Sequence, residues 1–151
     1  MEFKEYQHIQ KLGISEVDGI LNGKCYISYK IDGTNSCVFL KDDGSLGFGS
    51  RHKEVTKDSD QTGFVPGILS DIKTYNNLLK FLCLHPNSIV YGEWLTGVYI
   101  KRYKPEAKKK FYIFDIFDFK IQKYISFDDY SSELDNFELL YIPCLAIINN
   151  P

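Results

Sequence analysis

The 151-residue sequence lacks the features that mark membrane-spanning, secreted and polycationic proteins. No apolar run approaches the ~20 residues that a membrane-spanning helix needs, and the N-terminal residues 1–5 are charged, unlike those of a signal peptide. The formal net charge is -2, so the composition as a whole does not predict nucleic-acid binding. We therefore expect a soluble, cytoplasmic protein that contacts no membrane, in which any nucleic-acid contact comes from a local basic patch.

Patterns for metal binding and for disulfides are missing as well. The three histidines are scattered and no two cysteines form a C-x-x-C pair, so the sequence predicts no metal site built from protein ligands. The four cysteines lie among apolar residues and are predicted to be small core residues in a reducing compartment. They are Cys25, Cys37, Cys83 and Cys144.

What the sequence contains is enough apolar material for one domain, with 44% hydrophobic and 25% charged residues. Apolar residues with a 3.6-residue period predict an amphipathic helix over 68–84. Residues 126–138 resemble a short acidic helix with Ser126 as its N-cap. Apolar, β-rich runs predict further strands. These runs cover 36–41, 46–50, 88–97, 111–119 and 139–148.

Lys30 begins the stretch KIDGTN at residues 30–35, between two extended apolar runs. Residues 24–49 are predicted to form a β-hairpin, in which the first strand ends at Lys30 and the second covers 36–41. A partly desolvated lysine at a strand end loses its proton more easily and can act as a neutral amine nucleophile. The alternative is a surface lysine that precedes a hairpin turn.

Two other segments carry charged groups next to predicted strands. Glu93 follows a β-rich run and is flanked by Gly92 and by Trp94, the single tryptophan. A carboxylate in this position needs a partner, which a ligand hydroxyl, a metal-bound water or a structural salt bridge could supply. Arg51, which precedes His52 and Lys53, could hold a phosphate through its guanidinium fork or belong to a solvated loop.

The only concentrated basic stretch of the sequence covers residues 98–110. Lys101, Arg102 and four further lysines are interleaved there with Tyr99 and Tyr103. Basic residues mixed with aromatic ones are typical of surfaces that track a nucleic-acid strand or backbone. A solvated, charged loop is equally compatible with this pattern.

Four motifs, taken in order, resemble those of the ATP-dependent RNA ligases. They are KIDGTN at 30–35, Ser50-Arg51, VYGE at 90–93 and FYIFDI at 111–116. The nearest likeness is to the phage-type ligases that seal nicks in duplex RNA, within the covalent nucleotidyltransferase superfamily. Asn35 stands where DNA ligases usually carry a charged residue, which favours RNA ligase. The resemblance implies an α+β, ATP-grasp-like nucleotidyltransferase domain of mainly antiparallel sheets with flanking helices, and ATP in a cleft between sheets.

The resemblance implies a role for each matched residue. Lys30 would attack the α-phosphate of ATP, expel pyrophosphate and hold AMP through a phosphoramidate bond. Arg51 would bind the phosphate or ribose region. Glu93 would accept hydrogen bonds from the ribose, and Phe114 would stack on adenine.

The remaining predicted binding residues are Asp32, Gly33 and Asn35, and Asn35 would lie near the AMP phosphate and the incoming 5′-phosphate. The implied cofactors are ATP and Mg²⁺ or Mn²⁺, since a divalent cation neutralises the phosphates. The implied partner is RNA with 5′-phosphate and 3′-hydroxyl ends. AMP would pass from Lys30 to the 5′-phosphate, and the 3′-hydroxyl would then displace AMP and seal the strand.

Two motifs of that family are missing: a Glu-Gly strand and a Lys-x-Lys strand that neutralises the triphosphate. Residues 108–110 contain a Lys-x-Lys pattern, but they precede the predicted aromatic strand. We therefore expect residues 1–151 to form a partial nucleotidyltransferase domain, truncated before its last motifs, with impaired self-adenylylation. The alternatives are a ligase-like module that binds a nucleotide or RNA ends without chemistry, and an α+β interaction domain with a coincidental motif.

Overall fold

Two antiparallel sheets form the β-structure of the protein in the computed structural model, which describes residues 3–96 and 103–151. The smaller sheet pairs β1 (Lys24–Ser28) with β8 (Cys144–Asn149). The larger sheet has six strands. In chain order these are β2 (Thr34–Leu40), β3 (Leu46–Ser50), β4 (Glu54–Val55), β5 (Ser88–Trp94), β6 (Phe111–Asp118) and β7 (Lys123–Tyr124). Their spatial order is β4-β3-β2-β5-β6-β7, which confirms the α+β fold of mainly antiparallel sheets.

The predicted hairpin, in which a strand that ends at Lys30 is followed by a second strand over 36–41, is wrong, although the strands predicted over 36–41 and 46–50 are present. β2 and β3 pair as a hairpin across an Asp-Gly turn, where Gly44 adopts a positive φ of 81°. β1 does not pair with β2, and it ends at Ser28 rather than at Lys30. Its partner β8 lies more than a hundred residues away along the chain, so no local turn signal announces the pairing. Residues 29–33 consequently cross from the small sheet to the large one.

The helix predicted over 68–84 is two helices, α1 (Phe64–Ser70) and α2 (Ile72–Leu84). Asp71 separates them because its side chain accepts a hydrogen bond from Thr74 N at 3.1 Å and caps α2. The predicted acidic helix is confirmed as α3 (Phe127–Asn136), with the side chain of Ser126 as its N-cap. Two short 3₁₀ helices, Ser15–Val17 and Pro105–Ala107, complete the helical structure of the described residues.

The large sheet is buried on both faces, by different parts of the chain. Val38 and Val90 belong to a core cluster with α1 and α2. Cys37 and Tyr91, which are next to them on the same strands, pack instead with Tyr6 from the N-terminal segment. Because successive side chains of a strand point to opposite faces, residues 35 and 93 share the face of Cys37 and Tyr91, which is the face away from the helices.

The four cysteines were predicted to be small core residues. All four cysteines are free thiols, but only Cys37 is buried, and the prediction of a core position is wrong for the exposed Cys83. Cys83 lies on the solvent side of α2.

None of the helices in the described part of the chain is long and apolar enough to cross a membrane.

Candidate functional site

A cleft of about 390 Å³ lies between the end of β1 and the face of the large sheet that points away from the helices. The chain segments that line it come from both sheets and from the N-terminal segment. The lining residues are Tyr6, Ile9, Ser28, Tyr29, Lys30, Ile31, Asn35, Glu93, Phe114, Asp115 and Ile142. Three of the four sequence motifs therefore contribute side chains to one concave surface.

The turn that carries Lys30 is held against the large sheet by its glycine. Gly33 N donates a hydrogen bond to Glu93 Oε1 at 2.8 Å. A Cβ added at Gly33 would lie 2.4 Å from the backbone oxygen of Trp94, which is too close for any other residue without displacement of the backbone. Lys30 itself is exposed at the edge of the cleft.

Glu93 and Asn35 lie side by side on the central strands. They are directly paired in the register of β5 with β2, so their side chains lie next to each other on the cleft face. Burial raises the pKa of Glu93, while the Gly33 amide and the positive charges of Lys30 and Arg51 act to lower it. The site thus holds a partly desolvated carboxylate, and within residues 3–96 and 103–151 only its Oε1 accepts a hydrogen bond.

A β-bulge places Phe114 and Asp115 on the same cleft. Gly92 pairs with Ile113 and Tyr91 pairs with Asp115, so Phe114 has no partner residue on β5. In a regular strand, neighbours point to opposite faces, but the extra residue of a bulge re-aims the side chains around it. Both Phe114 and Asp115 line the cleft as a result.

Asp115 is a partly buried carboxyl, and among the described side chains Tyr6 is its hydrogen-bond partner. Tyr6 Oη donates a hydrogen bond to Asp115 Oδ2 at 2.5 Å. Burial raises the pKa of Asp115 to about 6, although the hydrogen bond from Tyr6 acts to lower it. The Tyr6 phenol has a raised pKa as well, first because of burial and then because of the nearby Asp115 charge. This pair closes one end of the cleft beside the Phe114 ring.

The predicted site residues are brought together in part. Lys30, Asn35, Glu93 and Phe114 all line the cleft, and Gly33 is joined to it through its amide. Arg51 is exposed and does not line the cleft, although its positive charge acts to lower the pKa of Glu93.

Asp32 is exposed and lies outside the cleft lining. Its backbone amide donates a hydrogen bond to Tyr103 Oη at 2.9 Å. Of the predicted basic stretch, Tyr99, Lys101 and Arg102 lie outside the described residues. The described part of this stretch begins at Tyr103. Because Tyr103 accepts the hydrogen bond from Asp32, this part lies next to the turn of Lys30.

Sequence reasoning gave no specific role to seven of the eleven lining residues, among them Tyr6, Asp115 and Ile142. Asp115 carries a usable signal, because it is an acidic residue in the middle of an aromatic strand and needs a partner there. Tyr6 and Ile142 carry no such signal: Tyr6 is positioned by its contact with Asp115, 109 residues away, and Ile142 by the hydrogen bond from its amide to Ile113 O.

The described residues contain no group of three or more histidine, cysteine, aspartate or glutamate side chains that could hold a metal ion. Mg²⁺ is usually held by one or two carboxylates together with substrate phosphates and water. A divalent cation fits this cleft only in that manner, with phosphate oxygens as its main ligands.

The family model described as RNA ligase matches residues 23–149. The chain belongs to the RNA ligase family. The match spans both sheets, so the four motifs are not a coincidence. No curated protein matches the sequence.

Solved structures of RNA ligases share the fold. An archaeal ATP-dependent RNA ligase superposes with a TM-score of 0.74 and 14% identity, over 98% of this chain and 38% of the ligase. The Naegleria gruberi RNA ligase with pyrophosphate gives a TM-score of 0.73 and 20% identity, over 97% of this chain and 43% of the ligase. A variant of the Naegleria ligase with ATP and Mn gives a TM-score of 0.68 and 22% identity, over 90% of this chain and 40% of the ligase. The chain thus spans about two fifths of the length of these proteins.

Proposed function

We propose that this chain is the lysine-bearing part of the adenylyltransferase domain of an ATP-dependent RNA ligase, with Lys30 as the nucleophile. One observation carries the proposal: the turn of Lys30 is hydrogen-bonded to Glu93 through Gly33 N at 2.8 Å, and the same cleft contains Phe114. A nucleophile, a carboxylate acceptor and an aromatic ring thus face one space of about 390 Å³. Membership of the RNA ligase family supports this assignment.

The proposed reaction begins with a neutral Lys30 amine. Lys30 Nζ attacks the α-phosphorus of ATP, the bond between that phosphorus and the bridging oxygen to the β-phosphate breaks, and pyrophosphate leaves with the bonding electrons. The nitrogen gives up a proton and AMP remains bound through a phosphoramidate. Phosphoryl transfer depends mainly on placement and on stabilisation of charge, so the chief work of the site is to hold the nucleotide in line with Nζ.

The neighbouring residues would hold the nucleotide in that position. Glu93 accepts hydrogen bonds from the ribose hydroxyls, and Phe114 stacks on the adenine ring. Asn35, which is paired with Glu93 across β2 and β5, lies toward the phosphate. Arg51 is exposed near Glu93 and would reach the phosphate or ribose from the rim. A bound Mg²⁺ or Mn²⁺ would neutralise phosphate charge.

The RNA steps follow from the same intermediate. AMP would pass from Lys30 to the 5′-phosphate of an RNA strand, and an adjacent 3′-hydroxyl would displace AMP to form the phosphodiester bond. The solved Naegleria ligases with ATP or AMP and Mn support ATP and a divalent cation as the reactants for this chain.

A specific observation favours a second candidate, in which the chain binds a nucleotide without the covalent step. Among the described residues that line the cleft, Lys30 is the one lysine or arginine, and it is accompanied by the carboxylates Glu93 and Asp115. A triphosphate needs more positive charge than this before its bond to the α-phosphorus is easily broken. The second candidate predicts ATP binding with no covalent product.

Incubation of the chain with ATP labelled at the α-phosphate, with Mg²⁺ or Mn²⁺, separates the two candidates. The proposal predicts label that survives denaturation in the wild type and is absent from Lys30→Ala and Lys30→Arg. Lys80→Ala, on the exposed side of α2, serves as the matched control and keeps the label. ATP binding by calorimetry without any covalent label would support the second candidate and contradict the first.

A further inference from the structure

The loop from Tyr103 to Lys110 is attached to the turn that carries Lys30. Tyr103 Oη accepts the hydrogen bond from Asp32 N at 2.9 Å. Asp32 lies two residues after Lys30, so a displacement of the loop at Tyr103 moves the turn with it. The loop is therefore a structural neighbour of the proposed nucleophile.

The far end of the same loop is attached to the strand that carries Glu93. Lys109 N donates a hydrogen bond to Leu95 O at 2.7 Å, and Leu95 N donates one to Lys110 O at 3.0 Å. Leu95 follows directly on β5. Between these two attachments the loop folds into the 3₁₀ helix Pro105–Ala107, and Tyr112 Oη donates to Ala107 O at 3.1 Å. The loop is thus hydrogen-bonded to the turn of Lys30, to Leu95 and to Tyr112.

The charge of this loop is strongly positive and is not neutralised locally. Residues 103–110 contain four lysines and one glutamate, whereas the whole chain has a net charge of -2. Within residues 3–96 and 103–151, no carboxylate lies within the 4.0 Å ion-pair distance of these four lysines. Lys110 still lies close enough to Asp71 for its charge to lower the pKa of that carboxyl. Lys104 is exposed and Lys108 is half-buried, and neither has an ion pair with a carboxylate of the described residues.

We propose that Lys104 and Lys108 bind backbone phosphates of the RNA strand that is presented to Lys30, an inference that rests on the proposed function. Lysine contacts to phosphates fix the position of a nucleic acid without reading its sequence. The Tyr103–Asp32 hydrogen bond then holds this phosphate-binding loop in register with the turn of the nucleophile. Recognition of the RNA and placement of the attacking group are thus linked through one hydrogen bond.

The test measures binding of the chain to a fluorescent nicked RNA duplex with a 5′-phosphate at the nick, by anisotropy and without ATP. Salt is varied between about 50 and 200 mM, because each phosphate contact adds about 0.9 to the slope of log affinity against log salt concentration. The double variant Lys104→Gln/Lys108→Gln should bind at least about tenfold more weakly at the low-salt end. Its slope should be smaller by about two.

The matched control is Lys80→Gln/Lys120→Gln, which removes the same charge from two exposed lysines, one on α2 and one at the end of the large sheet opposite the loop. Lys120 follows Phe119, whose amide bonds to Asn87 just before β5, and the seven residues of β5 put this end about 20 Å from Leu95. The control should change affinity less than about twofold. Equal losses in the two double variants, or no binding by the wild type, would overturn the inference. Because the assay contains no ATP, its result is independent of whether Lys30 takes up AMP.

Discussion

The two sides of the cleft are built in different ways. One side, the wall, consists of Asn35, Glu93, Phe114 and Asp115 on β2, β5 and β6, whose neighbours Tyr91 and Cys37 are 1% exposed. The other side, the rim, consists of residues 28–33, between the two sheets, where Tyr29 is 59% exposed. The groups that would recognise a nucleotide are thus fixed in a packed sheet, while the group that would react with it is carried on an exposed turn.

This difference suits the proposed chemistry. A binding group gains from being preorganised, because no free energy is then used to order it when the ligand arrives. A nucleophile that first takes AMP and then passes it to an RNA end must be reached by two different partners in succession. The rim is open to both, and the Gly33–Glu93 hydrogen bond is the direct connection between rim and wall.

The largest expected effect comes from breaking that connection. In Gly33→Ala the new methyl group would lie 2.4 Å from the Trp94 backbone oxygen, so the turn must move away from Glu93. We expect a loss of about 2 to 3 kcal/mol in the free energy of unfolding, together with loss of ATP binding. Urea denaturation and calorimetry measure the two quantities.

Gly44→Ala is the control for this substitution. Nothing lies within 4 Å of a Cβ at Gly44, but its φ is +81°, so we expect a loss of about 1 kcal/mol with unchanged ATP binding. If Gly33→Ala binds ATP as tightly as the wild type, ATP binding does not depend on the hydrogen bond between the rim and the wall.

The next effect concerns the partly buried carboxyl of the wall, Asp115. The pKa of Asp115 is raised from 3.8 to about 6, so between these values the folded protein binds a proton that the unfolded chain does not. The contribution of Asp115 to stability therefore rises as the pH falls through this window and is lost as the pH rises through about 6. Asp115→Asn should be about 3 kcal/mol more stable than the wild type at neutral pH, with Tyr6 still able to donate to the amide oxygen.

Urea denaturation of the wild type and of Asp115→Asn at several pH values tests this prediction. The difference between the two proteins should shrink toward zero as the pH is lowered below about 4. All other carboxyls are common to both proteins, so the difference isolates Asp115. A difference that stays constant across the pH range would show that Asp115 titrates normally.

A smaller effect is expected from Glu93→Gln, which keeps the shape of the wall and removes its charge. The amide oxygen can still accept the hydrogen bond from Gly33 N, so the fold should be retained. Hydrogen bonds from ribose hydroxyls to a neutral acceptor are weaker than those to a carboxylate, and we expect about tenfold lower affinity for ATP. Stability should be unchanged or slightly higher, because burial opposes the charge of Glu93. Calorimetry measures the affinity for ATP, with Glu16→Gln, on an exposed 3₁₀ helix, as the control. Equal affinities of the two variants for ATP would contradict this prediction.

The sequence predicted the wall better than the rim. Glu93 was predicted from its position in a β-rich run and from its motif, Asn35 from its motif alone, and β2, β5 and β6 were all predicted as strands. The bulge that brings Asp115 to the cleft beside Phe114 could not be predicted, because regular alternation would place the two on opposite faces. The rim was misjudged because β1 pairs with β8, a long-range contact that no hairpin signal marks. The break at Asp71 was missed because apolar periodicity runs on across it.

The most direct test of the account is the location of covalent AMP on the chain. Lys30 is exposed on the rim, so Lys30→Ala should change the free energy of unfolding by less than about 0.5 kcal/mol and leave the wall intact. After incubation with ATP and a divalent cation, peptide mass spectrometry of the wild type should find AMP on the peptide that contains Lys30 and on no other. AMP on a different lysine, or label that persists in Lys30→Ala, would contradict the assignment of Lys30 as the nucleophile.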